Sequence, residues 1–149
     1  MSSLGQVYLH IIFSTKNRTR FLQNKSLRLE LHNYLGGTCR NLGCPSLIVG
    51  GEDHVHILCR FSRTTTIAVL VGELKRESSK WIKTKDLALQ QFHWQTGYGV
   101  FSVGRNEVEM VREYIANQEE HHKVESFQDE FLRLLKEYGV EYDERYVWD

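Results

Sequence analysis

Residues 46–61 constrain this chain most, because they read as two β-segments folded back on each other through Gly50-Gly51. Ser46–Gly50 and Asp53–Phe61 are short and rich in β-branched and apolar residues, and two glycines make the turn between them easy. A hairpin of this kind commits its strands to antiparallel pairing. In the second arm, apolar residues alternate with His54, His56 and Leu58. Side chains two apart on a strand leave from the same face. His54 and His56 therefore stand together, which is the spacing by which a strand offers two nitrogens to one metal ion. Taken alone, the pair reads more readily as one buried and one exposed imidazole.

The segments around the hairpin define the rest of an α+β chain. Residues 5–13 read as a first strand, and the run from Ser14 to Arg20 follows as a loop with three cations and no acid. Asn24 is placed to cap a helix from about Lys25 to Cys39, in which Gly36-Gly37 marks a possible break. A second helix is expected from Thr65 to about Lys83, with Ile67, Val71, Leu74 and Trp81 on one face. Two β-like pieces follow, Gln91–Gln95 and Tyr98–Val103. Asn106 is a suitable N-cap for a continuous helix from Glu107 to about His121, and a last amphipathic helix spans roughly Ser126–Tyr138 before Gly139. This order favours an antiparallel sheet with helices on one face, in the ferredoxin-like manner shared with RNA-recognition (RRM-like) modules.

At 149 residues the chain has the length of one domain, 1–149. No stretch has the roughly 18 apolar residues of a membrane span. Cys39, Cys44 and Cys59 are odd in number and lack C-x-x-C spacing. Neither a disulfide framework nor a zinc knuckle is indicated, and a reducing, cytoplasmic setting is expected. The formal net charge is zero, yet it is unevenly placed. Residues 1–106 carry 14 Lys/Arg against 6 Asp/Glu, and residues 107–149 carry 5 against 13. A basic face for a polyanion beside an acidic tail fits this pattern, as does a tail packed on the basic part.

The second chemical stretch is Tyr114–Gln118. On a helix, Tyr114 and Gln118 lie one turn apart on the same face. Two strand imidazoles and one amide oxygen make a three-ligand site with open positions, where a divalent ion can polarise a phosphate. A tyrosine one turn away is a nucleophile for that phosphate, provided its phenol is helped to lose a proton.

At these residues the chain resembles the single-tyrosine HUH transposases of the insertion sequence 200-like group. The resemblance rests on His54-Val55-His56 and on Tyr114 and Gln118 as Y-x-x-x-Q. It extends to Phe13–Lys16, Leu74–Lys80, Trp94–Gly99, Tyr114–His122 and Gly139–Asp143. It implies an HUH endonuclease fold in which His54, His56 and Gln118 bind Mg²⁺ or Mn²⁺. Tyr114 would attack a phosphodiester in single-stranded DNA, leaving a 5′-phosphotyrosine link and a free 3′-hydroxyl, with no ATP. It also implies hairpin-forming element ends as the DNA and a homodimer as the assembly. The tyrosine helix is often exchanged in that dimer, and Gly104 is a candidate hinge.

Lys16, Arg18, Arg20, Lys75, Arg76 and Lys80 are the candidate phosphate contacts. His121 and His122 lie three and four residues beyond Gln118, within reach of the same metal. Trp94 and Tyr98 suit either base stacking or the core, and His10 and His32 read as structural. Three other readings remain open at this point: a domesticated nuclease of chromosomal repeats, a non-catalytic nucleic-acid-binding module, and a metal-dependent hydrolase without a covalent intermediate.

Overall fold

Residues 1–148 are described in a computed structural model. Four strands form one antiparallel sheet: β1 (Val7–Ser14), β2 (Ser46–Gly50), β3 (His54–Phe61) and β4 (Gly99–Val103), in the spatial order β2-β3-β1-β4. The helices are α1 (Lys25–Asn41), α2 (Ile67–Ile82), α3 (Val108–Ala116), α4 (Gln118–His121) and α5 (Phe127–Glu137). The chain order β1-α1-β2-β3-α2-β4 with this strand order is the ferredoxin-like split unit, to which α3–α5 are appended.

Strand alternation sorts the two sides of the sheet. Leu9, Ile11 and Phe13 of β1 and Val55, Ile57 and Cys59 of β3 pack with Leu31 and Leu35 of α1 and Leu70 and Leu74 of α2. The intervening residues point the other way. Ile12 and Phe101 meet Phe127, Leu134 and Leu135 of α5, while Leu58 and Val103 meet Val108, Val111 and Ile115 of α3. Helices therefore cover both faces, not the single face expected from the hairpin pattern. The late helices provide a second apolar stripe that needs its own burial surface. His54 and His56 lie on this second face, opposite Ser14 and Ile12 of β1.

Local chemistry explains most boundaries. Asn24, Thr66 and Ser126 each accept a hydrogen bond from a backbone N–H three residues on, capping α1, α2 and α5. α1 runs through Gly36-Gly37 without a break. A side chain at Gly36 would come within 3.1 Å of Ser46 Oγ, so the absent Cβ lets α1 lie close to β2. Residues 91–95 do not form a strand; only an isolated bridge between Thr15 and Trp94 is present. Trp94 instead packs edge-on against Phe13 and Phe92 and donates its indole N–H to Ser78 Oγ. Arg105–Glu107 is a 3₁₀ turn that displaces Asn106 from the capping position, and α3 begins one residue later than expected. The helix then breaks at Asn117 (φ −100°, ψ 19°), dividing the expected continuous helix into α3 and α4. No helix among the described residues is long and apolar enough to cross a membrane. Cys39, Cys44 and Cys59 are free and buried.

Candidate metal and nucleophile centre

β3 delivers His54 and His56 to the face covered by α3, α4 and α5. Both are enclosed, at 3% and 0% exposure. Asp53 Oδ1 lies 2.8 Å from His54 Nδ1, and His10 Nε2 lies 2.8 Å from His56 Nδ1. Each imidazole is thus oriented through its outer nitrogen, leaving Nε2 to face the interior, as in metal-binding histidines. Burial pushes the His56 imidazole down to about 4, with the hydrogen bond to Glu130 opposing the shift. It is neutral near pH 7, the form that ligates metals. His10, read from sequence as structural, supports the site directly. His32 bonds to the carbonyl of Gly51 and so braces the hairpin turn.

α3 and α4 bring the second motif to the same place. Gln118 Oε1 lies 3.4 Å from His54 Nε2, and Gln118 Nε2 donates to Glu130 Oε2 at 3.2 Å. The Gln118 carbonyl oxygen and an imidazole nitrogen therefore face one another where one cation could take both as ligands. Tyr114 stands beside the pair, its ring centroid 6.0 Å from that of His56. Its hydroxyl donates to Glu130 Oε2, receives a hydrogen bond from Arg133 at 2.9 Å, and lies 3.2 Å from His121 Nε2. Burial, then the hydrogen bond to Glu130 and its charge, raise the Tyr114 phenol above its ordinary value.

The break at Asn117 does not separate Tyr114 from Gln118, since both reach Glu130 Oε2. One chain therefore assembles His54, His56, Tyr114 and Gln118.

Glu130 was not singled out by the sequence reading. It is 0% exposed and links most of the cluster. Its Oε1 lies 3.1 Å from His56 Nε2 and 3.2 Å from His122 Nε2. Burial alone would raise its carboxyl, but hydrogen bonds from His122, His56 and Tyr114 hold it far below the usual carboxylate range. Its signal was present in the pattern. Phe127, Glu130, Phe131 and Leu134 share one face of α5, so an acid occupies a core position of an amphipathic helix. His54, His56, His122 and Glu130 form a group able to hold a metal ion, and His121, Glu125 and Glu130 form a smaller one.

The candidate DNA contacts divide into two groups. Lys16, Arg18 and Arg20 are exposed on the loop after β1. Arg18 and Arg20 line a cleft with His54, Gln118 and His122, and Lys16 and Arg18 line an adjoining one with Trp94 and Trp148. Lys75, Arg76 and Lys80 lie on α2, beneath the opposite face of the sheet. Lys75 donates to the carbonyls of Gln95 and Gly97, and its burial lowers the amine to about 8. Arg76 pairs with Glu73 and Glu77, while Lys80 is exposed. Tyr98 is exposed at 42%.

With a ferredoxin-like sheet, two oriented imidazoles and a tyrosine–glutamine pair in place, comparison with known proteins identifies the class. Residues 3–118 match the family described as Transposase IS200 like. The chain belongs to the IS200-like transposase family, and DNA transposase is the class of activity this membership supports. Among solved structures, it is similar to a candidate transposase from Deinococcus radiodurans R1. That likeness has a TM-score of 0.64 and 22% identity, and covers 79% of this chain and 95% of the other. It also resembles a REP-associated tyrosine transposase bound to a REP hairpin, with a TM-score of 0.52 and 11% identity, covering 79% and 70%. Both likenesses describe the fold. Comparison with curated proteins gives no significant match.

Proposed function

We propose that this protein is a metal-dependent single-stranded DNA endonuclease and strand transferase, with Tyr114 as its nucleophile. The observation carrying this reading is that Tyr114 and Gln118 converge on His54 and His56 within one chain. His54, His56 and Gln118 would hold a divalent ion, Mg²⁺ or Mn²⁺. When bound, the ion would supply Lewis acidity to the scissile phosphate.

The chain's own groups account for the remainder. Tyr114 Oη forms a new bond to the 5′ phosphorus as it gives up its proton to solvent; Glu130, held ionised far below the usual carboxylate range, orients the hydroxyl and is too weak a base to keep that proton. The bond from phosphorus to the 3′ oxygen breaks, and that oxygen takes up a proton and leaves as a hydroxyl. Arg133, which donates to the same phenol oxygen, lies where the phosphate on Tyr114 would carry its charge. Attack by a 3′-hydroxyl reverses the step and rejoins DNA without ATP.

Lys16, Arg18 and Arg20 suit the phosphate backbone, and the hairpin bound by the REP-associated relative supports a hairpin-forming single strand as substrate. The test is a denaturing gel of end-labelled single-stranded hairpin DNA incubated with the protein and Mn²⁺. A labelled band at protein size, abolished by chelation, is expected. Binding without that band would favour a non-catalytic module, and cleavage without it would favour a hydrolase.

Two further outcomes follow from the same geometry. The double variant Arg18→Ala/Arg20→Ala should weaken single-strand binding. It should also flatten the plot of log affinity against log salt by about 1.4, since each phosphate contact contributes about 0.7. An unchanged slope would remove these residues from the interface. The family resemblance also implies a homodimer, in which this geometry supports each chain using its own tyrosine. Mixing His56→Ala protein with Tyr114→Phe protein should then leave adduct formation absent. Recovery on mixing would show that helix and strand are shared between copies.

A further inference from the structure

A carboxylate with no exposed surface is costly unless its charge is matched. Glu130, on α5, lies beyond the stretch that matches the family, as does His122. Around Glu130 Oε1 are three imidazole nitrogens: His56 Nε2 at 3.1 Å, His122 Nε2 at 3.2 Å and His54 Nε2 at 3.6 Å. His54 Nε2 and His122 Nε2 are 3.0 Å apart. Four donors each about 2.1 Å from one centre are spaced about 3.4 Å apart when tetrahedral. The four separations above straddle that value, and all four donor atoms lie within 4.8 Å of one another. The outer nitrogens of His54 and His56 are held by Asp53 and His10, so those two donors are already aimed inward.

We propose that His122 and Glu130 are ligands of the same ion as His54 and His56, and that this site takes a transition-metal dication in preference to Mg²⁺. The inference rests on the reading above that His54 and His56 bind a divalent metal. It adds two ligands and a selectivity. Mg²⁺ favours oxygen donors and retains several waters. Together with Gln118 Oε1, a set of three imidazoles, one carboxylate and one amide oxygen still offers mostly nitrogen, which suits Co²⁺, Zn²⁺ and, more weakly, Mn²⁺. Glu130 would present Oε1 to the ion while Oε2 keeps the Tyr114 hydroxyl, so one carboxylate positions the nucleophile relative to the metal.

The test is isothermal titration of the full chain without DNA, using CoCl₂, MnCl₂ and MgCl₂. Co²⁺ should bind at least about tenfold more tightly than Mg²⁺, with Mn²⁺ between them. Glu130→Gln and His122→Ala should each weaken Co²⁺ binding by about 10- to 100-fold, and His54→Ala should abolish it. His122 is partly exposed, so its variant keeps the test meaningful if Glu130→Gln fails to fold. Wild-type Co²⁺ affinity in both Glu130→Gln and His122→Ala would overturn the inference, as would equal affinities for Mg²⁺ and Co²⁺. If His54→Ala alone loses binding, the added ligands fail while the underlying metal reading stands. If His54→Ala also binds like the wild type, that reading fails with them.

Discussion

Tyr114→Phe should eliminate the covalent protein–DNA product, a loss on the order of 10³-fold or more, while leaving a folded protein that still binds metal and DNA. The substitution removes the oxygen that would attack and little else. Such losses are typical when a nucleophile is deleted from a site whose other parts remain. The tyrosine hydroxyl donates to Glu130 and receives a hydrogen bond from Arg133. Glu130 keeps His56, His122 and Gln118 around it after the change. The stability cost should therefore be about 1 kcal/mol, the usual worth of a hydrogen bond whose partner has others. Quantifying adduct on denaturing gels, with metal affinity as the control, checks both halves. Wild-type adduct from Tyr114→Phe would mean that another residue attacks the DNA.

Gly51→Ala should damage stability and site together. Gly51 has φ +105°, a conformation L side chains rarely adopt, and a Cβ there would lie 2.1 Å from the carbonyl oxygen of His54. The clash is with backbone, so no side-chain rotation relieves it. Strain of this kind costs about 1–3 kcal/mol, and displacement of the hairpin adds to it, for an expected loss of about 2–4 kcal/mol. The displaced carbonyl belongs to His54, so metal binding should fall as well. The contrasting change is Gly37→Ala, inside α1 with nothing within 4 Å of a new Cβ. It should stabilise by about 0.5–1 kcal/mol through helix propensity. Urea titration of both variants measures the difference. A neutral Gly51→Ala would show that the turn has room to rearrange.

The hairpin and its histidine pair were legible because they follow from short-range rules: period-two alternation, a two-glycine turn and a fixed strand geometry. Asn24 was legible as a cap for the same reason, since its partner lies three residues away. Tyr114 and Gln118 were found through spacing, although Asn117 breaks the helix on which that spacing was based. Glu130 escaped because its meaning depends on side chains from other elements, His54, His56, Tyr114, Gln118 and His122 among them. In the sequence it is an acid on the apolar face of α5 within an acidic C-terminal stretch; only packing of α5 on the sheet shows which groups it meets there. The expected strand at 91–95 failed for a related reason. Phe92 and Trp94 are β-formers locally, but their rings are drawn into the core against Phe13 and Phe21. The α2 cations were grouped with those of the first loop by charge alone; the structure places them on a different element, with Lys75 and Arg76 already engaged by neighbouring groups.

The six residues from His54 to Cys59 are all buried, three toward the α1–α2 side and three toward α3–α5, where two of them are the site histidines. A one-residue slip in this strand would send the histidines into oil and the core residues into the site. This six-residue stretch of β3 therefore has no neutral positions at which to experiment, and a single-residue insertion or deletion there damages both the core and the site at once. Changes in what such a protein binds must proceed elsewhere. The loop bearing Lys16, Arg18 and Arg20 is open to change because its side chains are exposed and the core does not depend on them.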